Sequence, residues 1–457
     1  MPLSEGSGEV EPPQETGTMS LFSRSFLGLY RGLWAAATPL VRRNRRLSQG
    51  FEDRIALTGE PFAGRDAVDA DTGPLIWVQA ASGGEAALVR ALLREAGTLP
   101  EFVARSPRFF CTTWTAQGVD VLRTIAPPSG ISLLARYVPL DNPALMRQAV
   151  ALARPACVVL LETEIWPGLM AACREADVPL LLLNARMTPK SLSGYRLLRP
   201  LLREIRPDRI LAISEDDAAR FADIFGPEGV SVMPNIKFDG ATLTPPVGAD
   251  PFAGLAAEAD PAMPRLALAS VRQEEEEALL GILPRLLAGG AALAVAPRHM
   301  HRVDVWRKAL VPYGAVLRSE LLAGTATSPA GPLIWDTFGD LALLYAHVDA
   351  AFVGGSLAPL GGQNFLEAPA LGTRALVGPH RNNFLCVGEE IFQTGTVERV
   401  ADAEALAVAL PKAAVGRQAD RAAAAGETRR RFAEWLAPRT GGSRVAAQAV
   451  ADVCAKG

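Results

Sequence analysis

From residue 70 onward, short apolar runs of strand length alternate with stretches in which apolar positions recur at helical spacing. In the first half the runs are PLIWVQA at 74–80, RFFCTTW at 108–114, ISLLARYV at 131–138, ACVVLLE at 156–162, PLLLLNA at 179–185, RILAIS at 209–214 and VSVMPN at 230–235. After a Pro-, Gly- and Ala-rich stretch at 240–264 the rhythm restarts at 265–271, 291–297, 315–319, 332–337, 350–356, 374–379 and 396–400. Runs that are apolar throughout suit parallel strands covered by helices on both faces. The pattern therefore predicts two doubly wound α/β domains joined near residue 240, followed by alanine-rich C-terminal helices.

The chain start differs in pattern. Residues 1–18 hold glutamates and prolines and no base, a composition that predicts disorder. Residues 19–46 are apolar and aromatic and run into RRNRR, but Arg24, Arg31 and Pro39 interrupt them. The uninterrupted run is shorter than the roughly 20 residues a membrane span wants. An amphipathic helix lying in an anionic membrane surface is the expectation, set against a buried first helix with a solvated basic end.

A length of 457 residues is too much for one ordinary core. Lys and Arg number 46 against 49 Asp and Glu, for a net charge of −3, so no nucleic-acid footprint is expected. Five scattered cysteines without a C-x-x-C pair argue against a disulfide framework and a zinc knuckle, and for a reducing compartment.

Ligands of open parallel sheets bind at the carboxyl ends of strands. The polar residues there include Ser82 and Glu85, Glu162 and Glu164, Asn184 and Arg186, Arg298 and His299, and the segment from Gly354 to Glu367. Glu85 has two readings. Ser82 and Glu85 fit S-x-x-E, a capping box; a carboxylate at a strand-to-helix corner can also take a proton. AFVGGSLAPLGGQNFLEAPALG at 351–372 ends a strand in two glycines, and Asn364 is expected to open a helix with Glu367 three residues on. Glycines let backbone amides approach an anion, so a phosphate-bearing ligand with sugar hydroxyls near Glu367 is one reading, and a tight turn with a capping Asn is the other. Neither G-x-x-x-x-G-K-[ST] nor G-x-G-x-x-G is present. His299 and His301 stand at i and i+2, a spacing unsuited to sharing a metal, so Arg298 points to anion binding without one. The glutamates of QEEEEALL at 273–280 fall in a helix's first turn, where the dipole favours them.

ETEIWP at 162–167, NARM and SLSGY at 184–195, NIKFD at 235–239, PRH at 297–299, DTFGDLALLY at 336–345, FVGGSL at 352–357, NFLEA at 364–368 and GPHRNNF at 378–384 resemble, in order, the motifs of bacterial Kdo (3-deoxy-D-manno-octulosonic acid) transferases. The resemblance implies a GT-B glycosyltransferase fold, two Rossmann-like domains facing a central cleft behind an N-terminal membrane-associated helix. With the boundaries read from composition, the chain divides into 1–18, 19–46, a domain at 47–240 that the resemblance makes acceptor-binding and one at 241–457 that it makes donor-binding. The resemblance implies CMP-Kdo as donor, a lipid A precursor as acceptor, the cytoplasmic face of the inner membrane as location, and no cofactor or metal. Glu85 would be the general base, with one of Glu162 and Glu164, together with Lys237, supporting the transition state. Pro297, Arg298, Phe338, Gly339, Asp340, Gly355, Ser356, Asn364, Phe365, Leu366 and Glu367 would hold CMP. The chain departs from the family pattern at Gly83, Gln273, Glu275 and Phe365. The rivals are another GT-B enzyme, such as a different glycosyltransferase or a nucleotide-sugar epimerase, and a non-catalytic nucleotide-binding protein at a membrane.

Overall fold

In the computed structural model, residues 19–44, 48–62, 73–80, 85–240, 244–252, 263–326, 331–414 and 420–456 are described. The acidic tail, Arg45 and Arg46 of the basic cluster, and Ser82 to Gly84 lie outside them. Every apolar run named above contains a strand, and the strands form two wholly parallel sheets.

The first sheet comprises β1 (Leu75–Gln79), β2 (Arg108–Thr113), β3 (Ser132–Tyr137), β4 (Cys157–Leu161), β5 (Leu180–Ala185), β6 (Arg209–Ala212) and β7 (Val230–Val232), in the order β3-β2-β1-β4-β5-β6-β7. β1, β4 and β5 are buried along their whole length, as strands covered on both faces must be. On one face Trp77 packs 5.1 Å from Phe110 between ring centres, a contact that helps fix the register of β1 on β2. The second sheet comprises β8 (Arg265–Val271), β9 (Ala292–Pro297), β10 (Val316–Leu317), β11 (Leu333–Ile334), β12 (Ala350–Val353), β13 (Arg374–Val377) and β14 (Val397–Arg399), in the order β10-β11-β9-β8-β12-β13-β14. Its outer strands β10 and β11 are shorter than their apolar runs. Arg318 already opens a helix, Arg318–Leu322, and its guanidinium lies 3.8 Å from the ring centre of Trp335.

Helix α1 (Leu21–Arg43) belongs to the N-terminal unit. The Ser20 hydroxyl accepts from Ser23 N at its start, and the Ser20 amide donates to Glu204 Oε2 at 2.9 Å. Ser23, Leu27, Tyr30 and Trp34, at i, i+4, i+7 and i+11, form its inner face. Leu27 is buried in the main cluster of that unit. Phe22, Leu29, Leu33 and Leu40 fall on another stripe and stay exposed. No described helix is long and apolar enough to cross a membrane.

The division of the chain differs from the one expected. One compact unit is Met1–Met233 with Ser443–Gly457; the other is Pro234–Gly442. The helix Gly442–Lys456 therefore belongs largely with the N-terminal sheet. Arg105 Nη1 donates to the Cys454 carbonyl at 2.5 Å, Arg209 pairs with Asp452 at 3.5 Å, and the Cys454 and Cys157 sulfurs are 3.9 Å apart. An amphipathic pattern says that a helix has an apolar face; it does not say which core receives it. The 240–264 stretch is also more than a linker, because Phe252 is fully buried beneath the Arg265 guanidinium.

Candidate active site

In the N-terminal unit, β1 and its neighbours in the sheet deliver three carboxylates to their carboxyl ends. Glu85 immediately precedes helix α2 (Ala86–Ala96), half-exposed, with φ −80° and ψ −17° and no side-chain bond to the helix amides. A capping box needs its glutamate three residues into the helix. The helix begins one residue after Glu85, so the S-x-x-E pattern misjudges the register. Ser82, its other half, lies outside the described residues.

β4 ends at a strained corner: Glu162 has φ +59°, and Asn184 at the end of neighbouring β5 has φ +53°. Such conformations cost of order 1–3 kcal/mol each for residues with a Cβ and concentrate at functional sites. The corner turns the Glu162 side chain inward, where it is buried and Arg186 donates to its Oε2 from Nε and Nη2, both at 2.8 Å. The Thr163 hydroxyl donates to the Arg186 carbonyl at 2.6 Å, tying the two strand ends together.

Glu164 is held differently. Its Oε2 accepts from Trp166 Nε1 at 2.7 Å and from Gln79 Nε2 at 3.2 Å. Gln79 is aligned in turn by the Thr112 hydroxyl, 2.6 Å from its Oε1, and Thr112 accepts from Trp77 Nε1 at 2.8 Å. A buried relay thus runs from the core of β1 and β2 to Glu164. Burial raises the Glu164 carboxyl above the ordinary carboxylate range and the nearby Glu162 charge adds to it, while the bonds from Trp166 and Gln79 oppose the shift. Tyr195, from the SLSGY stretch, is raised first by burial and then by the Glu164 charge, so its phenol belongs to the same neighbourhood.

In the C-terminal unit, Pro297 closes β9 and Arg298 follows, its amide bonded to the Val271 carbonyl at 2.9 Å. His299 is lowered by burial and then by the Arg272 and Arg298 charges. Glu367 is half-buried and raised by that burial, against the bond from Asn364 Nδ2 at 2.8 Å and the Arg298 charge, so Arg298, Asn364 and Glu367 share one electrostatic environment. Asn364 does not open a helix: the short helix there is Glu367–Ala370, and Asn364 lies in the turn before it. Lys237 lies in the helix Ile236–Asp239, capped by the Asn235 side chain. Among the described residues no three His, Cys, Asp or Glu side chains cluster as metal ligands do.

Three expectations for this unit need correction. The amides after β12 do not face an open site. Gly355 N and Arg272 N point to Glu275 Oε2 at 2.6 and 3.1 Å, and Ser356 N and Leu357 N to Oε1 at 2.9 Å each, so a buried carboxylate already occupies this anion-binding nest. The glycine pair serves this contact: a Cβ on Gly354 would stand 2.5 Å from the Ser270 carbonyl and 2.9 Å from Glu275 Oε2, and Gly355 has φ +74°. The Ser356 hydroxyl is equally internal, between the Val353 carbonyl and Gly378 N. Second, Phe365 and Leu366 turn into the core, Phe365 packing 5.1 Å from Phe384 between ring centres, so their side chains cannot line a ligand. Third, Asp340 is taken up by Arg318, Trp335 Nε1 and the Thr337 hydroxyl. It shapes the turn at Gly339, φ +90°, which leaves the Phe338 ring exposed.

Gln79, Thr112, Trp166 and Tyr195 surround Glu164 and were not singled out from the sequence, although Tyr195 stands in SLSGY. Trp166 stood inside ETEIWP, the one signal that could have drawn attention to it.

Residues 49–240 match the family model described as 3-Deoxy-D-manno-octulosonic-acid transferase (kdotransferase). The chain is 34% identical over 340 residues to the 3-deoxy-D-manno-octulosonic acid transferase of Bordetella pertussis, covering 72% of this chain and 76% of that one. It is 28% identical over 327 residues to the Haemophilus influenzae protein of the same name, covering 70% and 73%. Among solved structures, a glycosyltransferase from Rickettsia africae is similar with a TM-score of 0.53 at 12% identity, over 84% of this chain and 99% of that one, a likeness of fold. With two parallel-sheet α/β units of GT-B type and this extent of similarity, the chain belongs to the 3-deoxy-D-manno-octulosonic acid transferase family and is a glycosyltransferase.

Proposed function

We propose that the protein transfers Kdo from CMP-Kdo to a hydroxyl of a lipid A precursor at the cytoplasmic face of a bacterial inner membrane. Glu85 accepts the proton of the acceptor hydroxyl as its oxygen bonds to the anomeric carbon of Kdo. The bond from that carbon to the phosphate oxygen breaks, and its electron pair leaves with CMP. Arg298 and Lys237 stabilise the charge that develops on the departing phosphate. Asn364 and Glu367 hold donor hydroxyls, and the exposed Phe338 ring offers the cytosine a stacking face. Of the paired glutamates, Glu164 is the one assigned to the acceptor side, since Glu162 is consumed by Arg186. The amides of Gly355 and Ser356 stay with Glu275.

The observation that carries this reading is the group of carboxylates at the strand ends of the N-terminal sheet, in a chain that belongs to a Kdo transferase family. The outward stripe of Phe22, Leu29, Leu33 and Leu40 on α1, with Arg42 and Arg43 in its last turn, supports attachment to an anionic lipid surface. Incubating the full chain with CMP-Kdo and a lipid A precursor, and weighing the lipid by mass spectrometry, tests it. A mass gain of one or more Kdo residues is expected; unchanged lipid with donor consumed as free sugar would overturn the acceptor assignment.

A further inference from the structure

Helix α1 is linked to the loop after β4 through two intermediaries, Asp141 and Trp114. Tyr30 Oη donates to Asp141 Oδ2 at 2.9 Å. The same carboxylate accepts from Gly168 N at 2.9 Å and Leu169 N at 2.8 Å. Those amides lie in the first turn of the helix Pro167–Glu175, and Trp166, at its N-cap position, supplies no side-chain cap. Asp141 is thus the cap of that helix, and α1 holds the cap.

One turn along α1, Trp34 begins an aromatic series. Its ring lies 6.5 Å from that of Trp114 at an interplanar angle of 10°, and Trp114 lies 5.2 Å from Trp166 at 30°. The Arg54 guanidinium, 4.8 Å from the Trp114 ring centre, also donates to the Trp114 carbonyl. The indole N–H of Trp114 is buried with no partner among the described residues, so stacking sets that ring, whereas the Trp34 indole also meets the Tyr30 hydroxyl. Trp166 ends the series with a polar contact, the 2.7 Å bond from Nε1 to Glu164.

We propose that Tyr30 and Trp34 are positioning residues for sugar transfer: through Asp141 and through Trp114, helix α1 fixes the turn from Glu162 to Trp166 and so the place of the Glu164 carboxylate. The inference rests on the role assigned to Glu164 above. It gives α1 a second task beside lipid attachment, since its outward stripe meets the membrane while its inner face sets the acceptor-side loop. If the aromatic series were core packing alone, its loss would lower stability and leave the turnover of folded molecules unchanged.

The test uses the full chain with detergent-dispersed lipid A precursor, which removes vesicle attachment from the rate. Trp34→Leu, Tyr30→Phe, the rescue variant Trp34→Phe and the benchmark Glu164→Gln are compared for kcat and for KM of both substrates, with rates scaled to the folded fraction. Near-UV circular dichroism follows the coupling of the stacked indoles. Trp34→Leu should lower kcat about 10- to 100-fold, the scale of a small misplacement of a reacting group, with the donor KM within about two-fold and the indole signal reduced. Tyr30→Phe should lower kcat in the same sense, and Trp34→Phe should recover most of the loss. Parental kcat in folded Trp34→Leu and Tyr30→Phe overturns the proposal. If Trp34→Leu does not fold, Tyr30→Phe decides it, because that change removes one hydroxyl and keeps the ring. Parental turnover in Glu164→Gln, or no transfer by the parent, would instead fault the role given to Glu164 or to the protein.

Discussion

Glu275 offers the sharpest test of the donor-side architecture. Its two oxygens accept four backbone N–H groups, two each: Gly355 and Arg272 on Oε2, Ser356 and Leu357 on Oε1. Glu275→Gln keeps the shape but replaces one oxygen with an N–H₂ group. Whichever way the amide turns, two donors then face a donor. Hydrogen bonds to a charged group are worth about 1.5–3 kcal/mol each, so two lost bonds total about 3–6 kcal/mol before the loop relaxes. We expect a loss of about 3 kcal/mol, at the low end because the Gly354–Gly355 backbone can yield. Urea unfolding of the full chain with and without CMP measures it, since CMP should raise the midpoint of the transition that includes the C-terminal unit. CMP affinity should fall as well, because the loop that Glu275 shapes leads to Asn364 and Glu367. A Glu275→Gln protein within about 0.5 kcal/mol of the parent, the usual range of an inconsequential surface change, would refute the account of the nest.

Glu85→Gln should lower kcat by roughly 10²- to 10⁴-fold while stability and CMP affinity hold; rates within a few-fold of the parent would return Glu85 to a purely structural role. Arg298→Ala should weaken CMP binding about tenfold or more by calorimetry, with Glu367 no longer opposed by a neighbouring cation; unchanged affinity removes Arg298 from the phosphate contact. Burial pushes the Asp141 carboxyl up from 3.8 to about 7. Between those values the folded chain holds a proton that the unfolded chain has released, so Asp141 makes stability fall as pH rises through that window. Asp141→Asn should flatten that slope in pH-dependent thermal melts, and an undiminished slope would contradict the assignment.

The parallel sheets were legible because strands covered on both faces must be apolar throughout, and runs such as ACVVLLE and RLALASV have few other uses. The strand-end rule then drew attention to Glu162, Glu164, Arg298 and Glu367. The partners were not legible. Glu275 reads as one glutamate among four in a helix start, and only folding brings it to amides some eighty residues away. Phe365 sits within a polar-looking motif, yet its side chain takes the core side of a turn. The order Trp34, Trp114, Trp166 spans two loops and a helix with no shared spacing. Local pattern records which face is apolar; it does not record which distant residue completes a buried polar group.

The helix Gly442–Lys456 also has a consequence for synthesis. A chain emerging from the ribosome presents all strands of the first sheet early, but Cys157 and Arg105 gain their contacts with Cys454 only after the intervening unit, Pro234–Gly442, has been made. The later unit can finish folding while the earlier one still exposes the apolar surface that this helix covers. Until the 15 residues of this helix arrive, the first-made half is the one in need of chaperone protection.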